Sequence, residues 1–548
     1  MKNISNKILN YSHYIFFLLL LITGLFLYKD FGYNIDETFQ RKSGLYWLKY
    51  VSDFFNFDEF SNLVQQKLNT ADDFTNPWSN KYGVIFDVPA AYLEIILKIN
   101  NPLKIYEFRH LLNFLYFYLG VIFLYKLLIN RFNNKFYSLF GCILFILTPR
   151  IFGDSFQNNK DIIFITFFII SIFYLFKTVE KNSIKNFIFL SLFSAIATST
   201  RLFGLVLPIS IIFISFLAVL SNKKEIKNLK FLLIYFSFYF LFLIIHWPLL
   251  WENAFTNLHE YLNNLKIYGP PIVFFNGDFF VPDLVPYYYL VLWIFISTPV
   301  LNLILFTGGL YLTIIKFFNK LDFIKSDRNN YDFWKNENEK KDFFIILIFI
   351  ILIFLGTFFN IKHYNSWRFF YFLNFFIIYF AIIFLNFYLK DSKINKKIKL
   401  ILTSFGTLLL ILNIYKIFLY HPYQSLYFNS LVTKKMKNNF EVDYTGLSAI
   451  HFLKDLSMDL KGTNDQIKVS VKSWYPIWRV HSLLNKKGRE KIKIVFNNSE
   501  ADILYSNRIY DVNILKNDKY EYENKFYKHK QFIIDDIIIY EIFKRKIE

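Results

Sequence analysis

Asp36 and Glu37 stand side by side in Phe31-Gly-Tyr-Asn-Ile-Asp-Glu-Thr-Phe-Gln40, just past the first apolar run of a chain in which charge is scarce. Adjacent carboxylates at a membrane surface suit general-base chemistry, one group taking a proton while its neighbour tunes it. They equally suit the capping of an interfacial helix, because acidic residues favour helix N-termini. A second acidic set lies in Pro149-Arg-Ile-Phe-Gly-Asp-Ser-Phe-Gln-Asn-Asn-Lys-Asp161, a compact polar turn holding Asp154 and Asp161 between two apolar runs. Asp161 could serve only as the N-cap of the run that follows, and Lys160 could be an interfacial anchor. Two acidic clusters facing each other would supply a base and its electrostatic partner, or share a divalent cation between Asp36 and Asp161.

The cations raise a parallel choice. Arg201 follows Ala195-Ile-Ala-Thr-Ser-Thr200 with hardly any loop, and Arg368 ends the segment His363-Tyr-Asn-Ser-Trp-Arg368. Snorkelling is common for arginine near helix ends, whereas the planar guanidinium fork is suited to phosphate. Lys160, Arg201 and Arg368 together, with His363 close by, read as a binding group for the phosphate head of a lipid-tailed substrate. Asp154, His246-Trp247 and Tyr423 are weaker candidates for substrate contact. The aromatics of His421-Pro-Tyr-Gln-Ser-Leu-Tyr-Phe-Asn429 could stack on a sugar ring or seal an outer domain onto the membrane part. The sequence has no phosphate-cradling glycine loop, no His/Cys metal spacing and no nucleophile elbow. A sugar donor should therefore be presented by the membrane.

The elements that must position these residues are membrane helices. Of 548 residues, 55% are hydrophobic and 19% charged, against about 25% charged in soluble domains. Apolar segments fall near 13–28, 108–129, 136–149, 161–177, 186–199, 202–220, 229–247, 287–315, 343–359, 367–389 and 399–419. These are about eleven spans, several short for a bilayer that needs about 20 residues. The formal charge of +20 does not point to nucleic acid, because lysines such as Lys223, Lys224 and Lys227, or Lys390, Lys396, Lys397 and Lys399, fill alternate loops. That is the signature of cytoplasmic connections. The expected protein is a multi-pass protein of the inner cell membrane, in contact with membrane lipids. Its N-terminus is cytoplasmic, its first span is uncleaved, and its C-terminal part lies outside. The spans form one domain, residues 1–420, with an external loop at 29–107. The alternating runs Gln466 to Lys472 and Lys491 to Phe496 read as strands of a small extracytoplasmic α/β domain, residues 421–548. Cys142, the single cysteine, lies in an apolar run.

An acidic pair after the first span, a second acidic residue opening the fourth, a central basic residue and a late Arg-aromatic motif resemble the GT-C superfamily of membrane glycosyltransferases. Within it they are most similar to the protein O-mannosyltransferase and lipid A aminoarabinose transferase group. Tyr82-Gly-Val-Ile-Phe-Asp-Val-Pro-Ala90, Pro149 to Asp161, and His421 to Asn429 with Asp443-Tyr444 look more specifically like an uncharacterised bacterial branch. The resemblance implies a GT-C fold and a polyprenyl-phosphate-linked sugar donor used at the external face. The acceptor would be a lipid, a glycan or a protein. It implies that Asp36 is the general base with Glu37 its neighbour, that Asp161 is the second acidic residue, and that Arg201 and Arg368 lie near the donor phosphate. Arg201 stands where relatives often have lysine. The implied chemistry is a single inverting displacement. Two readings of other classes compete with it: a lipid-linked sugar flippase or exporter, and a noncatalytic envelope assembly protein.

Overall fold

Helices that are apolar on all sides need either other helices or lipid around them, and both environments occur here. The computed structural model describes residues 2–69, 81–221, 229–267, 272–326, 334, 336–359, 361–392, 394–460, 466–473, 475–509 and 525–546. Lys223, Lys224 and Lys227 lie outside the described residues.

Six described helices are long and apolar enough to cross a membrane: Pro102–Phe132, Asp161–Glu180, Val300–Asn319, Glu337–Phe358, Leu373–Lys390 and Lys396–Leu419. Lys135–Ile146 and Pro149–Gln157, bent by 70° at their junction, would make a seventh span as one unit. Tyr11–Leu27, Ile184–Thr200, Leu202–Leu217 and Lys230–His246 are shorter apolar helices. The eleven apolar segments of the sequence thus all fall on apolar helices. Asp161–Glu180 is the central one, packed against Pro102–Phe132 and Ile184–Thr200 and buried along most of its length. The chain is a multi-pass membrane protein.

Polar contacts tie the bundle at both ends. At the end away from Asp161, Arg131 makes a two-pronged pair with Asp342, at 2.7 and 2.5 Å, and Tyr379 donates to the same carboxylate at 2.7 Å. Lys341 joins Glu180 at 2.9 Å nearby. The other end carries the irregular segments, where Pro149–Gln157, the turn before Leu373–Lys390 and the helix Asp36–Phe54 meet.

A small sheet lies in the C-terminal region, as expected from the alternating runs there. Two short strands of the middle region, β1 (Val273–Phe275) and β2 (Asp278–Phe280), form a hairpin around Asn276-Gly277. The C-terminal sheet contains β3 (Ile467–Val471), β4 (Ile492–Ile494), β5 (Ile503–Ser506), β6 (Phe526–Ile534) and β7 (Ile537–Arg545), in the order β4-β3-β5-β7-β6. β4 and β5 run parallel to β3, while β7 is antiparallel to β5 and β6. The helix Ser448–Asp459 packs beside it through Phe452, which stacks on Tyr505. The β6–β7 turn, Asp535-Asp536, has both residues at positive φ, as tight hairpins require. Asp535 there accepts from Lys416, Lys437 and Tyr420 at 2.6, 2.8 and 2.8 Å, docking the domain onto the last span.

Candidate active site

The two members of the Asp36-Glu37 pair face different surroundings. Asn34 accepts the backbone N–H of Asp36 at 2.9 Å, and its own N–H donates to the Glu37 carboxylate at 3.0 Å. That exchange is the logic of a capping box, which satisfies the free N–H groups of a helix start. Glu37 also lies 3.1 Å from His110 Nε2 and is buried. It therefore builds the start of the helix Asp36–Phe54. The Asn34 side chain donates to Gln157 Oε1 at 2.7 Å, and Ile35 N–H donates to the Thr445 carbonyl at 3.1 Å. The loop before Asp36 is thus pinned both to the bent helix pair and to the segment beyond the last span.

Asp36 itself meets Arg368, with Nη1 2.6 Å from its carboxylate. Its side chain is 32% exposed, whereas those of Glu37 and Asp161 are 4% and 3%. It is the reachable carboxylate among these three. Asp161 opens the helix Asp161–Glu180 and holds Arg201 Nη2 at 2.6 Å. Its other oxygen accepts from Asn158 at 2.9 Å. Behind it Asp154, fully buried, accepts from Gln157 and Asn158, each at 2.9 Å. One amide network therefore runs from Asn34 through Gln157, Asp154 and Asn158 to Asp161.

Phe369 joins the two ion pairs. Its ring lies 4.7 Å from the Arg201 guanidinium carbon and 5.3 Å from that of Arg368. Arg201 also lies 5.8 Å from the ring of Tyr82, and Arg368 lies 5.9 Å from that of Tyr444. Burial works against the charge of Arg368, but Asp36 and Asp161 more than offset it and hold the guanidinium above its usual range. The Nε atoms of Arg201 and Arg368 are both buried and have no hydrogen-bond partner among the described residues. Orphaned guanidinium donors next to an accessible carboxylate suit an anion bound beside a base.

The remaining expected residues lie elsewhere. Lys160 is engaged by Asp87 at 2.7 Å, and Asp87 also takes Arg109 at 2.5 Å and Asn159 at 3.1 Å. Lys160 therefore belongs to a buried charge hub, though its Nζ also lies 5.1 Å from the Tyr82 ring. His363 has Nε2 2.8 Å from the Gly356 carbonyl and its ring between Tyr289 and Phe370. Burial pushes its pKa down to about 4, so it is neutral near pH 7. His246 has Nδ1 2.9 Å from the Phe242 carbonyl, one helical turn back. Trp247 Nε1 donates to Lys81, and the His246 carbonyl accepts from Val84, so both steady the loop that carries Tyr82. Tyr423 has its hydroxyl 2.6 Å from His451 and packs on Phe532, at the seam with the C-terminal domain.

The structure thus gathers Asp36, Asp161, Arg201 and Arg368, with Asp154 behind them. Asp36 and Asp161 are each committed to an arginine, and no described group of three or more His, Cys, Asp or Glu is placed to hold a metal ion. Sequence reasoning missed Asn34, Asp87, Phe369 and Tyr444 as parts of the site or its frame. The available signals were the spacing Asn34-x-x-Glu37 and the segments Tyr82 to Ala90 and Asp443-Tyr444, which hold Asp87 and Tyr444.

Residues 92–251 match the sequence model of the family described as dolichyl-phosphate-mannose-protein mannosyltransferase. The match spans under a third of the chain and includes Asp154, Asp161 and Arg201, but neither Asp36 nor Arg368. No curated protein shows significant similarity to the chain. Among solved structures, ArnT from Cupriavidus metallidurans bound to undecaprenyl phosphate aligns over 97% of this chain and 98% of its own, at 8% identity and a TM-score of 0.45. The apo oligosaccharyltransferase of Archaeoglobus fulgidus aligns over 90% and 65%, at 11% identity and a TM-score of 0.47. The archaeal oligosaccharyltransferase AglB of that organism, with an inhibitory peptide and a dolichol-phosphate, aligns over 91% and 70%, at 11% identity and a TM-score of 0.46.

Proposed function

We propose that this chain moves a sugar from a polyprenyl-phosphate donor to an acceptor hydroxyl or amine, with inversion at the anomeric carbon. The observation that carries the reading is the grouping around Phe369: one accessible carboxylate, Asp36, and two buried arginines with spare donors. The dolichyl-phosphate-mannose family match of residues 92–251 supports the donor class.

In this reading Arg201 and Arg368 bind the donor phosphate and stabilise the charge that grows on it as the glycosidic bond breaks. A phosphate entering beside Phe369 competes with Asp36 for Arg368. The carboxylate released is the general base, which removes the acceptor proton as the acceptor oxygen or nitrogen attacks. Asp161 keeps Arg201 in place through its 2.6 Å contact. The lysines Lys390, Lys396, Lys397 and Lys399 cluster at the bundle end away from Asp36 and Arg368. Positive loops mark the cytoplasmic side, so the site faces outward from the inner membrane.

The test is transfer from radiolabelled polyprenyl-phosphate sugars to membrane acceptors by the full chain in nanodiscs. Asp36→Asn should lower transfer by about a hundredfold or more while binding of undecaprenyl phosphate persists. Turnover at the wild-type rate in that variant would remove Asp36 from the mechanism. Labelled lipid crossing vesicles without any glycosyl product would replace the reading with transport.

A further inference from the structure

Glu441 is a buried carboxylate held by backbone N–H groups from two other segments. It accepts the N–H of Phe274 at 3.3 Å and that of Asn365 at 3.1 Å, and the N–H of Ser366 also bonds to it. Asn365 and Ser366 both have left-handed backbones, with φ of 55° and 58°. Successive N–H groups in such a turn form a concave nest for an anion. Serine has none of glycine's freedom there, so the conformation persists only where its surroundings impose it.

Those surroundings have two sides. From the membrane helices, the Tyr289 hydroxyl donates to the Ser366 carbonyl at 3.0 Å, and Ser297 Oγ accepts from Trp367 Nε1 at 2.7 Å. From the segment beyond the last span comes Glu441, whose own N–H donates to the Phe274 carbonyl at 3.2 Å. Arg368 stands two residues after Ser366, in a short 3₁₀ turn, and its side chain reaches Asp36.

We propose that Glu441 is a positioning residue for Arg368: its carboxylate fills the nest of Asn365 and Ser366 and so fixes the turn that carries the guanidinium to Asp36. What this does for catalysis rests on the reading of Arg368 as a phosphate ligand. The segment joining the C-terminal domain to the last span is then a working part of the site.

The test compares Glu441→Ala, Glu441→Gln and Arg368→Gln in the full chain in nanodiscs. Amide hydrogen exchange reads the turn, and native mass spectrometry reads binding of undecaprenyl phosphate. Glu441→Ala should speed exchange at 361–370 and weaken binding by about tenfold, the scale of one hydrogen bond to a charged group. Exchange in Asp161–Glu180 should stay at the wild-type rate, which a general loss of structure would not allow. Glu441→Gln, which keeps an acceptor oxygen, should recover part of both effects. Wild-type exchange at 361–370 in Glu441→Ala overturns the proposal, as does intact binding in that variant where Arg368→Gln loses it. A freed turn with binding unchanged in both variants supports the positioning role and sinks the phosphate reading instead. Should Glu441→Ala fail to fold, Glu441→Gln decides: faster exchange supports the proposal and wild-type exchange overturns it.

Discussion

Asp87 is the residue whose loss the fold should feel most. Its side chain is 3% exposed, and it neutralises Arg109, 2% exposed, and Lys160, 11% exposed. Among the described residues Arg109 has no partner for Nε and Nη1, and Nη2 is the nitrogen anchored by Asp87. Asp87→Asn leaves two buried cations facing a neutral amide. Removing one partner from a buried pair costs about 3–5 kcal/mol. Asparagine keeps one acceptor oxygen, which puts the expected loss near 3 kcal/mol, roughly a hundredfold in the folded-to-unfolded ratio. The lone Cys142 is buried in the apolar bundle and serves as the probe. Its labelling by a fluorogenic maleimide during heating in detergent reports opening of the membrane part. Lys434→Gln is the control, because Lys434 and its partner Asp536 are 73% and 55% exposed, and such pairs contribute about 0–1 kcal/mol. The Asp87→Asn melting curve should fall well below the control. Adding Lys160→Gln should cost less than the sum of the two single changes, since one stranded charge is gone. An Asp87→Asn protein that melts with the control, or strict additivity in the double variant, would refute the hub.

Three further outcomes follow from the site and the seam. Asp36→Asn should lower transfer by about 10²–10⁴-fold, the usual contribution of general-base assistance, while the Cys142 melting curve stays close to wild type. Arg201→Gln should weaken undecaprenyl phosphate binding by roughly 10–100-fold, the value of a charged hydrogen bond, and Arg201→Lys should recover part of it in the same native mass-spectrometry measurement. Burial, helped by the charge of Lys454, pushes His451 from its usual 6.5 down to about 4. The unfolded chain takes that proton first, so the stability held above pH 6.5 is lost as pH falls toward 4. His451→Gln, which still accepts from Tyr423 but does not titrate, should lose less stability than wild type over that window by tryptophan-fluorescence melting.

The helices were legible because long apolar runs have few other fates in a chain of this composition. Two of the five C-terminal strands, β3 and β4, were legible for a related reason, since alternation in Gln466 to Lys472 and Lys491 to Phe496 suits a strand. Strands β5, β6 and β7 were not read. The β1–β2 hairpin was passed over, although Asn276-Gly277 between aromatic residues is a recognised turn signal. Other features were beyond reach for a physical reason. Asp87 meets Arg109 and Lys160 across 22 and 73 residues of chain, and Glu441 meets Asn365 across 76. No local periodicity encodes such a contact. It exists only after the helices have packed.

The Asp36-Glu37 pair shows how far residue type alone can go. Two carboxylates one residue apart on a helix cannot share a face, so the fold must give them different neighbours. Glu37 turns to Asn34 and His110 and becomes part of the frame, while Asp36 turns to Arg368 and stays in reach of solvent. In the proposed mechanism a base must be accessible to its acceptor, and the exposure of the Asp36 carboxylate beside Arg368 meets that condition. The same guanidinium has a buried nitrogen left over for an anion. In the proposed mechanism acceptor activation and donor binding therefore meet at one residue, Arg368, and a change there should disturb both where a change at Asp36 disturbs only the first.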